Sequence, residues 1–247
     1  IHEYNVEADN PNKDRMVVLK LSTDEGMTTF DYTRPDMATQ VLEHIPELDM
    51  ACKVYNYGNV MYCKVGENMF NKFEVVESDS VFFQFFPQKV IKGSLEDALI
   101  GPDRVVLTES FSKRIFGRSD PIGQTVQIQF GTLPWSGDEE KFLSFTVSAV
   151  VKDNTQAAFS FDVLFIGEPT GGLNFFLLKD HVSIPDVQAK IEGLVYRDMI
   201  KYSLLSIQDA CFFPVITPSH LKKPNTDLLW IALFSAILIL VIACFNY

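Results

Sequence analysis

The closing stretch constrains this chain most. Leu228 to Phe245, LLWIALFSAILILVIACF, runs eighteen residues without a charge and with Ser235 as its one polar side chain. At about 1.5 Å of rise per residue a helix of that length reaches roughly 27 Å, close to the roughly 30 Å hydrocarbon core of a bilayer. Inside lipid a helix satisfies every backbone N–H and C=O internally, which a lone strand or loop cannot do. The stretch therefore reads as a transmembrane helix over 228–247 built on Leu228, Leu229, Trp230, Ile231, Phe234, Ile237, Leu240, Ile242 and Phe245, with Trp230 suited to the interfacial belt. The competing reading is an uncommonly apolar helix in a soluble core. No second apolar run of that length precedes it, so the first 227 residues are expected to lie together on one side of the membrane. No basic flank follows the span and no signal peptide opens the chain, which therefore reads as a piece of a longer protein.

With 47% hydrophobic residues in 247, the chain has ample material for a sizeable core. Its 32 acidic against 21 basic residues give a net charge of −11, which argues against nucleic acid as a partner and against a broad basic lipid-binding face. Phenylalanine often falls in pairs: Phe82 with Phe83, Phe85 with Phe86, Phe175 with Phe176, Phe212 with Phe213. Such pairs pack cores and strand edges; the alternative is an exposed aromatic substrate groove.

The four cysteines show no CxxC and no metal-ligand spacing. Met50–Tyr55 and Val60–Val65 flank Asn-Tyr-Gly-Asn like the arms of a hairpin. With Tyr57 and Gly58 as the loop, Cys52 lies opposite Cys63, within reach of a disulfide in an oxidising compartment, although a one-residue bulge would spoil the register.

Element order follows from periodicity and caps. Asp14 to Ser22 reads as a strand; Thr33 to His44 as a helix capped by Thr33, with Pro35 in its first turn and Met37, Val41, Leu42 and Ile45 on its buried face; Ala51 to Tyr55 as a second strand. Between Val60 and Gly167 short strands surround one helix, capped by Thr108 and ended by Gly117. From Asn174 the first texture returns: a strand, a helix capped by Ser183 with Val187, Ile191 and Leu194 inward, and a last strand near Ser203–Phe213. The expectation is an α+β fold with two βαβ units placing helices on one face of an antiparallel sheet, and a mixed lobe inserted between them. The boundaries fall at 1–58, 59–171, 172–217, a junction at 218–227 and the membrane helix at 228–247.

Chemistry is sparse. None of the four histidines sits in HExxH or beside a nucleophile motif. Gly117 to Thr125, GRSDPIGQT, superficially looks like a phosphate loop, but it is one residue too long, has Gln124 in place of the lysine, and follows a helix instead of preceding one. The sequence points away from an enzyme, and no cofactor or metal site is expected.

Asp103 to Val126, DRVVLTESFSKRIFGRSDPIGQTV, closely resembles a signature of the MacB-like periplasmic core domain of FtsX-type ABC transporter permeases, Bacteroidetes-like members included. Asp79–Phe86, Lys92-Gly93 with Ala98-Leu99, Phe145–Asp153 and Phe161-Asp162 follow in the family's order. A departure is Asn154 to Phe159, NTQAAF, where relatives tend to carry a Pro-Glu-Asn-Ser-His-like turn. The resemblance implies a porter-like lobe with a second lobe inserted into it, in the periplasm, between two membrane helices of a bacterial inner-membrane permease. It implies as partners an ATP-binding subunit, a second permease copy or pseudo-copy, membrane lipid, and a periplasmic adaptor or lipoprotein. The implied function is transmission of ATP-driven helix motion to substrates such as peptides, drugs or lipoproteins; the alternative is a membrane-anchored sensor or scaffold.

Overall fold

The structure, a computed structural model, describes residues 6–23, 25–30, 36–58, 62–130, 142–194, 200–213, 221 and 226–246. It opens with β1 (Met16–Thr23), the two-residue β2 (Thr28–Thr29), α1 (Met37–His44) and β3 (Leu48–Asn56). A middle stretch holds β4 (Tyr62–Val65), β5 (Asn68–Phe70), β6 (Val75–Ser78), α2 (Phe82–Phe85), β7 (Val90–Gly93) and α3 (Leu95–Ala98). It continues with β8 (Arg104–Thr108), α4 (Glu109–Phe116), β9 (Thr125–Gln129), β10 (Phe142–Val151) and β11 (Val163–Ile166). The chain closes with β12 (Leu173–Leu178), α5 (Ile184–Gly193), β13 (Ile200–Ser206), α6 (Ile207–Phe212) and α7 (Thr226–Asn246).

The first and last strands interleave. β1 lies between β12 and β13, and β12 between β1 and β3, all antiparallel. Each βαβ unit is therefore split by a strand of the other, and both helices settle on the same face. There Val17, Leu19, Phe176 and Leu178 of the sheet meet Met37 and Val41 of α1 and Val187 and Ile191 of α5. The opposite face presents Met16, Val18, Phe175 and Leu177 to Phe82, Phe85, Phe86, Phe159 and Ile207. Covered on both sides, β12 is buried at all six positions.

Local chemistry explains the helix starts. Ser183 and Asp186 form a capping box at α5: the Ser183 hydroxyl and backbone N–H donate to the Asp186 carboxylate at 2.6 and 2.8 Å. α1 begins at Met37 behind Asp36, while the expected cap Thr33 and Pro35 lie outside the described residues. At α4, Thr108 makes no capping bond; Asp153 instead accepts from the Ser110 N–H at 3.1 Å and hydroxyl at 2.5 Å. Gly117 ends that helix in the left-handed region, φ 62°.

Two expectations are corrected. The last strand stops at Ser206, whose hydroxyl caps α6 by accepting from the Asp209 N–H at 3.0 Å, so residues 207–212 are helical. The Cys52/Cys63 hairpin does not form: β3 pairs with β12 and β6, whereas β4 pairs with β5 and β9.

The middle stretch prolongs the same sheet. Val54, Tyr55 and Asn56 of β3 pair with Ser78, Glu77 and Val76 of β6, and the order runs on through β11, β8, β10, β9, β4 and β5. β6–β11 and β8–β10 are parallel, making the sheet mixed. Phe73, Leu107, Phe111, Ile128, Phe145 and Phe165 form a separate core against α4. The core beneath β1 and β12 also extends to Val76, Val106, Ala149 and Val151, so both parts of the chain share it.

Gly93 shows what the sheet demands. It has φ 75°, and a Cβ there would land on the Ser148 carbonyl oxygen and 2.9 Å from Ile122 Cδ1. Gly26 has φ 85° but open space around it. Gly93→Ala is expected to cost about 2–4 kcal/mol in denaturant unfolding, and Gly26→Ala only about 1 kcal/mol.

Candidate functional site

Within the described residues, the chain enters and leaves the sheet through one packed cluster. Val6 is buried with Met16 and Val18, and so are Ile207, Ala210 and Cys211 of α6 and Leu221 beyond it, all in one core. On the leaving side Phe213 packs edge-on against Phe30, ring centroids 6.2 Å apart, and the Lys20 amine sits 4.4 Å from the Phe213 centroid. Partial burial lowers the pKa of that amine.

On the entering side the anchor is Glu7, 5% exposed and held at φ 54°. Its backbone N–H donates to the Gln156 carbonyl at 2.7 Å. Its carboxyl accepts from the Ala158 N–H at 2.9 Å and from Asn10 Nδ2 at 3.2 Å. Asn10 Nδ2 also donates to the Phe85 carbonyl at 2.6 Å, just beyond the middle of α2's aromatic run. Burial raises the Glu7 carboxyl above its ordinary pKa, against the opposing pull of the Ala158 and Asn10 hydrogen bonds. In the sequence nothing local separates Glu7 from Glu3 or Asp9.

The residues singled out from sequence are scattered. Cys52 and Cys63 are free and buried, Cys52 opposite Phe175 in the shared core and Cys63 opposite Phe70 and Ile128 in the α4 core. Burial pushes the Cys63 and Cys211 thiols up to about 12 and Cys52 well above its usual value. Thr226–Asn246 is one helix. The side chains of Leu228, Leu229 and Phe245 lie outside the described residues, while Trp230, Ile231, Phe234, Ile237, Leu240 and Ile242 are exposed. Side chains are described there only over 230–244, and among the described residues no helix is long and apolar enough to cross a membrane.

Of the phenylalanine pairs, Phe82, Phe85, Phe86, Phe175 and Phe176 are buried in contact with one another or with the helices, Phe83 and Phe213 are half-buried, and Phe212 is exposed. GRSDPIGQT is a packing turn. The Gly123 N–H donates to the Val147 carbonyl at 2.8 Å, and Asp120 accepts from the Ile122 N–H at 3.3 Å. Among the described residues no group of three or more His, Cys, Asp or Glu could hold a metal ion.

The model of the MacB-like periplasmic core domain family matches residues 4–194. The chain belongs to this family. Its members are periplasmic domains of ABC transporter permeases, which are non-catalytic. No curated protein matches the chain. Among solved structures it is similar to a domain assigned to a permease protein from Porphyromonas gingivalis, with 19% identity, a TM-score of 0.62, and coverage of 85% of this chain and 96% of that one. It is also similar to the periplasmic region of MacB from Actinobacillus actinomycetemcomitans, with 13% identity, TM-score 0.57, and coverage of 80% and 91%. The extracellular domain of the noncanonic ABC-type transporter YknZ from Gram-positive bacteria matches at 12% identity, TM-score 0.53, and coverage of 77% and 99%. These likenesses show a shared MacB-like fold, and the family match makes the chain an extracytoplasmic domain of a membrane transporter.

The thiol assignments are directly testable. Denatured without reductant, the protein is expected to take up an alkylating agent at all four cysteines; uptake at only two would restore the Cys52–Cys63 bond. Folded at about pH 8, Cys52, Cys63 and Cys211 are expected to stay unmodified, because buried thiols carry little thiolate there.

Proposed function

We propose that this MacB-like domain transmits ATP-driven motion of membrane helices to substrates or partners outside the membrane, in export or release of peptides, drugs or lipoproteins. The observation that carries the reading is the common burial of Val6, α6 and Leu221 in one core, because a chain entering and leaving through one packed cluster passes displacement on without slack. α7 supports it: the described part of this helix is apolar on every side and packs on nothing else, as lipid contact would require. We read 228–247 as a span of the bacterial inner membrane, with the main domain in the periplasm. The lobes 1–58 with 172–217, and 59–171 between them, form the moving body, joined to the span at 218–227.

The partners of this reading are an ATP-binding subunit, fused or separate, a second permease copy or pseudo-copy, membrane lipid, and a periplasmic adaptor or lipoprotein. ATP hydrolysis belongs to that subunit, and the domain needs no cofactor of its own. Leu221 marks where the coupling enters the fold.

The test is ATP turnover by the intact permease purified in mild detergent with its co-purifying partners. Replacing residues 218–227 by a Gly/Ser linker, or Leu221 by Asp, is expected to change the retained partner's turnover by about two- to thirtyfold while the domain stays folded. A folded, dimeric preparation with no nucleotide-binding partner and no turnover would overturn the reading in favour of an anchored sensor or scaffold.

A further inference from the structure

Between the entering segment and the 154–158 loop lies a cleft of about 50 Å³, lined by Glu7, Asp9, Asn10, Asn154 and Gln156 with the Pro87 ring. That is room for a few water-sized groups. Its polar side chains are carboxylates and amides, and no lysine, arginine or histidine lines it among the described residues. Glu7 is its buried charge. The Ala158 N–H holds one carboxyl oxygen and Asn10 Nδ2 the other, and neither partner can accept a proton, so the arrangement suits the ionised form. Two neutral donors do not balance a charge taken out of water, and among the described residues no cation pairs with Glu7. Its pKa, raised by burial, is what a carboxyl without a counter-charge would show.

The other lining groups say which cation fits. Asp9, exposed, brings a second carboxylate. Asn10 is spent: Nδ2 donates to Glu7 and to the Phe85 carbonyl at 2.6 Å, and Oδ1 accepts from the Asn12 N–H at 2.9 Å. Asn154 Oδ1 accepts from the Gln156 N–H at 2.9 Å, which leaves it a second lone pair. A calcium ion takes six or more oxygens, and no group of three His, Cys, Asp or Glu stands here among the described residues. A primary ammonium asks for less: acceptors for three N–H donors, a single counter-charge, and an apolar wall for its stem, which Pro87 supplies. Lys13 of the same segment donates instead to the Ala8 carbonyl, at 3.5 Å. A net charge of −11 favours the approach of cations.

We propose that this cleft binds a primary ammonium group, with Glu7 as the buried counter-charge, Asp9 as the carboxylate at the rim and Asn154 as the acceptor from the loop. The group belongs to a free small amine or to a lysine side chain of a partner polypeptide, because the cleft admits only the tip of either. Occupied, it joins the entering segment to the 154–158 loop through the ligand, alongside the bond from the Glu7 N–H to the Gln156 carbonyl. The site goes beyond the motion-transmitting reading and stands without it.

The experiment is hydrogen exchange, read by mass spectrometry on the intact permease in detergent at about pH 7.5, where a primary amine is protonated. Methylammonium is the probe, and tetramethylammonium, which has the charge but no N–H, is the control at equal ionic strength. Peptides covering residues 6–10 and 154–159 are expected to exchange about tenfold more slowly in methylammonium at ten times its dissociation constant, and at an unchanged rate in tetramethylammonium. Glu7→Gln is expected to abolish the slowing. Asp9→Asn, at an exposed side chain, is expected to weaken binding by about two- to fivefold, and it decides the matter should Glu7→Gln fail to fold. Slowing by N-acetyl-lysine amide as well assigns the site to a polypeptide's lysine, and slowing by methylammonium alone assigns it to a free amine. No slowing by methylammonium, equal slowing by tetramethylammonium, slowing that survives both substitutions, or slowing that appears only after Lys13→Gln removes the chain's own amine, overturns the site. Exchange is read without nucleotide, so the site and the coupling reading can fail separately.

Discussion

Three residues of β3, Val54 to Asn56, hold the molecule together as one body through their backbone pairing with Val76 to Ser78. On one side β3 completes the interleaved antiparallel strands, and on the other it begins the mixed extension. Side chains reinforce the seam. The Ser78 hydroxyl donates to the Lys53 carbonyl at 2.6 Å, and the Lys53 N–H donates to the Asp79 carboxylate at 2.9 Å. Burial raises the Asp79 carboxyl, against the bonds from the Lys53 N–H and Cys52 that favour its charge. A hydrogen-bonded seam resists bending better than a linker, which suits the proposed role of passing on motion.

Much of this was legible in the chain. Alternation and caps located β1, α1, β3, α4, β12 and α5 to within a few residues, because each carries a local signal: an apolar period, the Ser183–Asp186 box, a glycine at the end. The misses have a common cause. α2 is one turn of helix made of phenylalanines, whose composition favours strands, and it is the aromatic contacts of Phe82 and Phe86 with Phe159 that stabilise it as a helix. α6 hides behind Cys-Phe-Phe, and its single cue is Ser206 with Asp209 three residues later. The Cys52–Cys63 hairpin failed because closeness in sequence and a glycine-containing turn say nothing about which strand β3 finds from far along the chain.

The candidate site was the least legible part. Two of the partners of Glu7, the Ala158 N–H and the Gln156 carbonyl, lie some 150 positions away, and a carboxyl with no cation beside it among the described residues leaves no charge pattern to read. The family signature, by contrast, was plain in the sequence, and its residues turn out to be structural. Gly93, Ile122 and Gly123 press β7 and the 120–123 turn against β10, which explains why such a motif can mark a fold without marking chemistry.

The complete burial of β12 bears on how the chain finds its fold. In a strand with one wet face, a one-residue slip exposes apolar side chains and is rejected on polarity alone. β12 reads Leu-Asn-Phe-Phe-Leu-Leu with cores on both sides, so a slipped pairing would still bury nearly everything, and oil against water gives little discrimination. Discrimination has to come from shape and from one amide: Gly172, where any Cβ would strike the Val54 carbonyl oxygen, and Asn174, 1% exposed, whose displacement would carry a polar group into the phenylalanine core. These two residues act as the proofreading marks of the central strand, and errors in assembling this domain would be expected to begin with their loss.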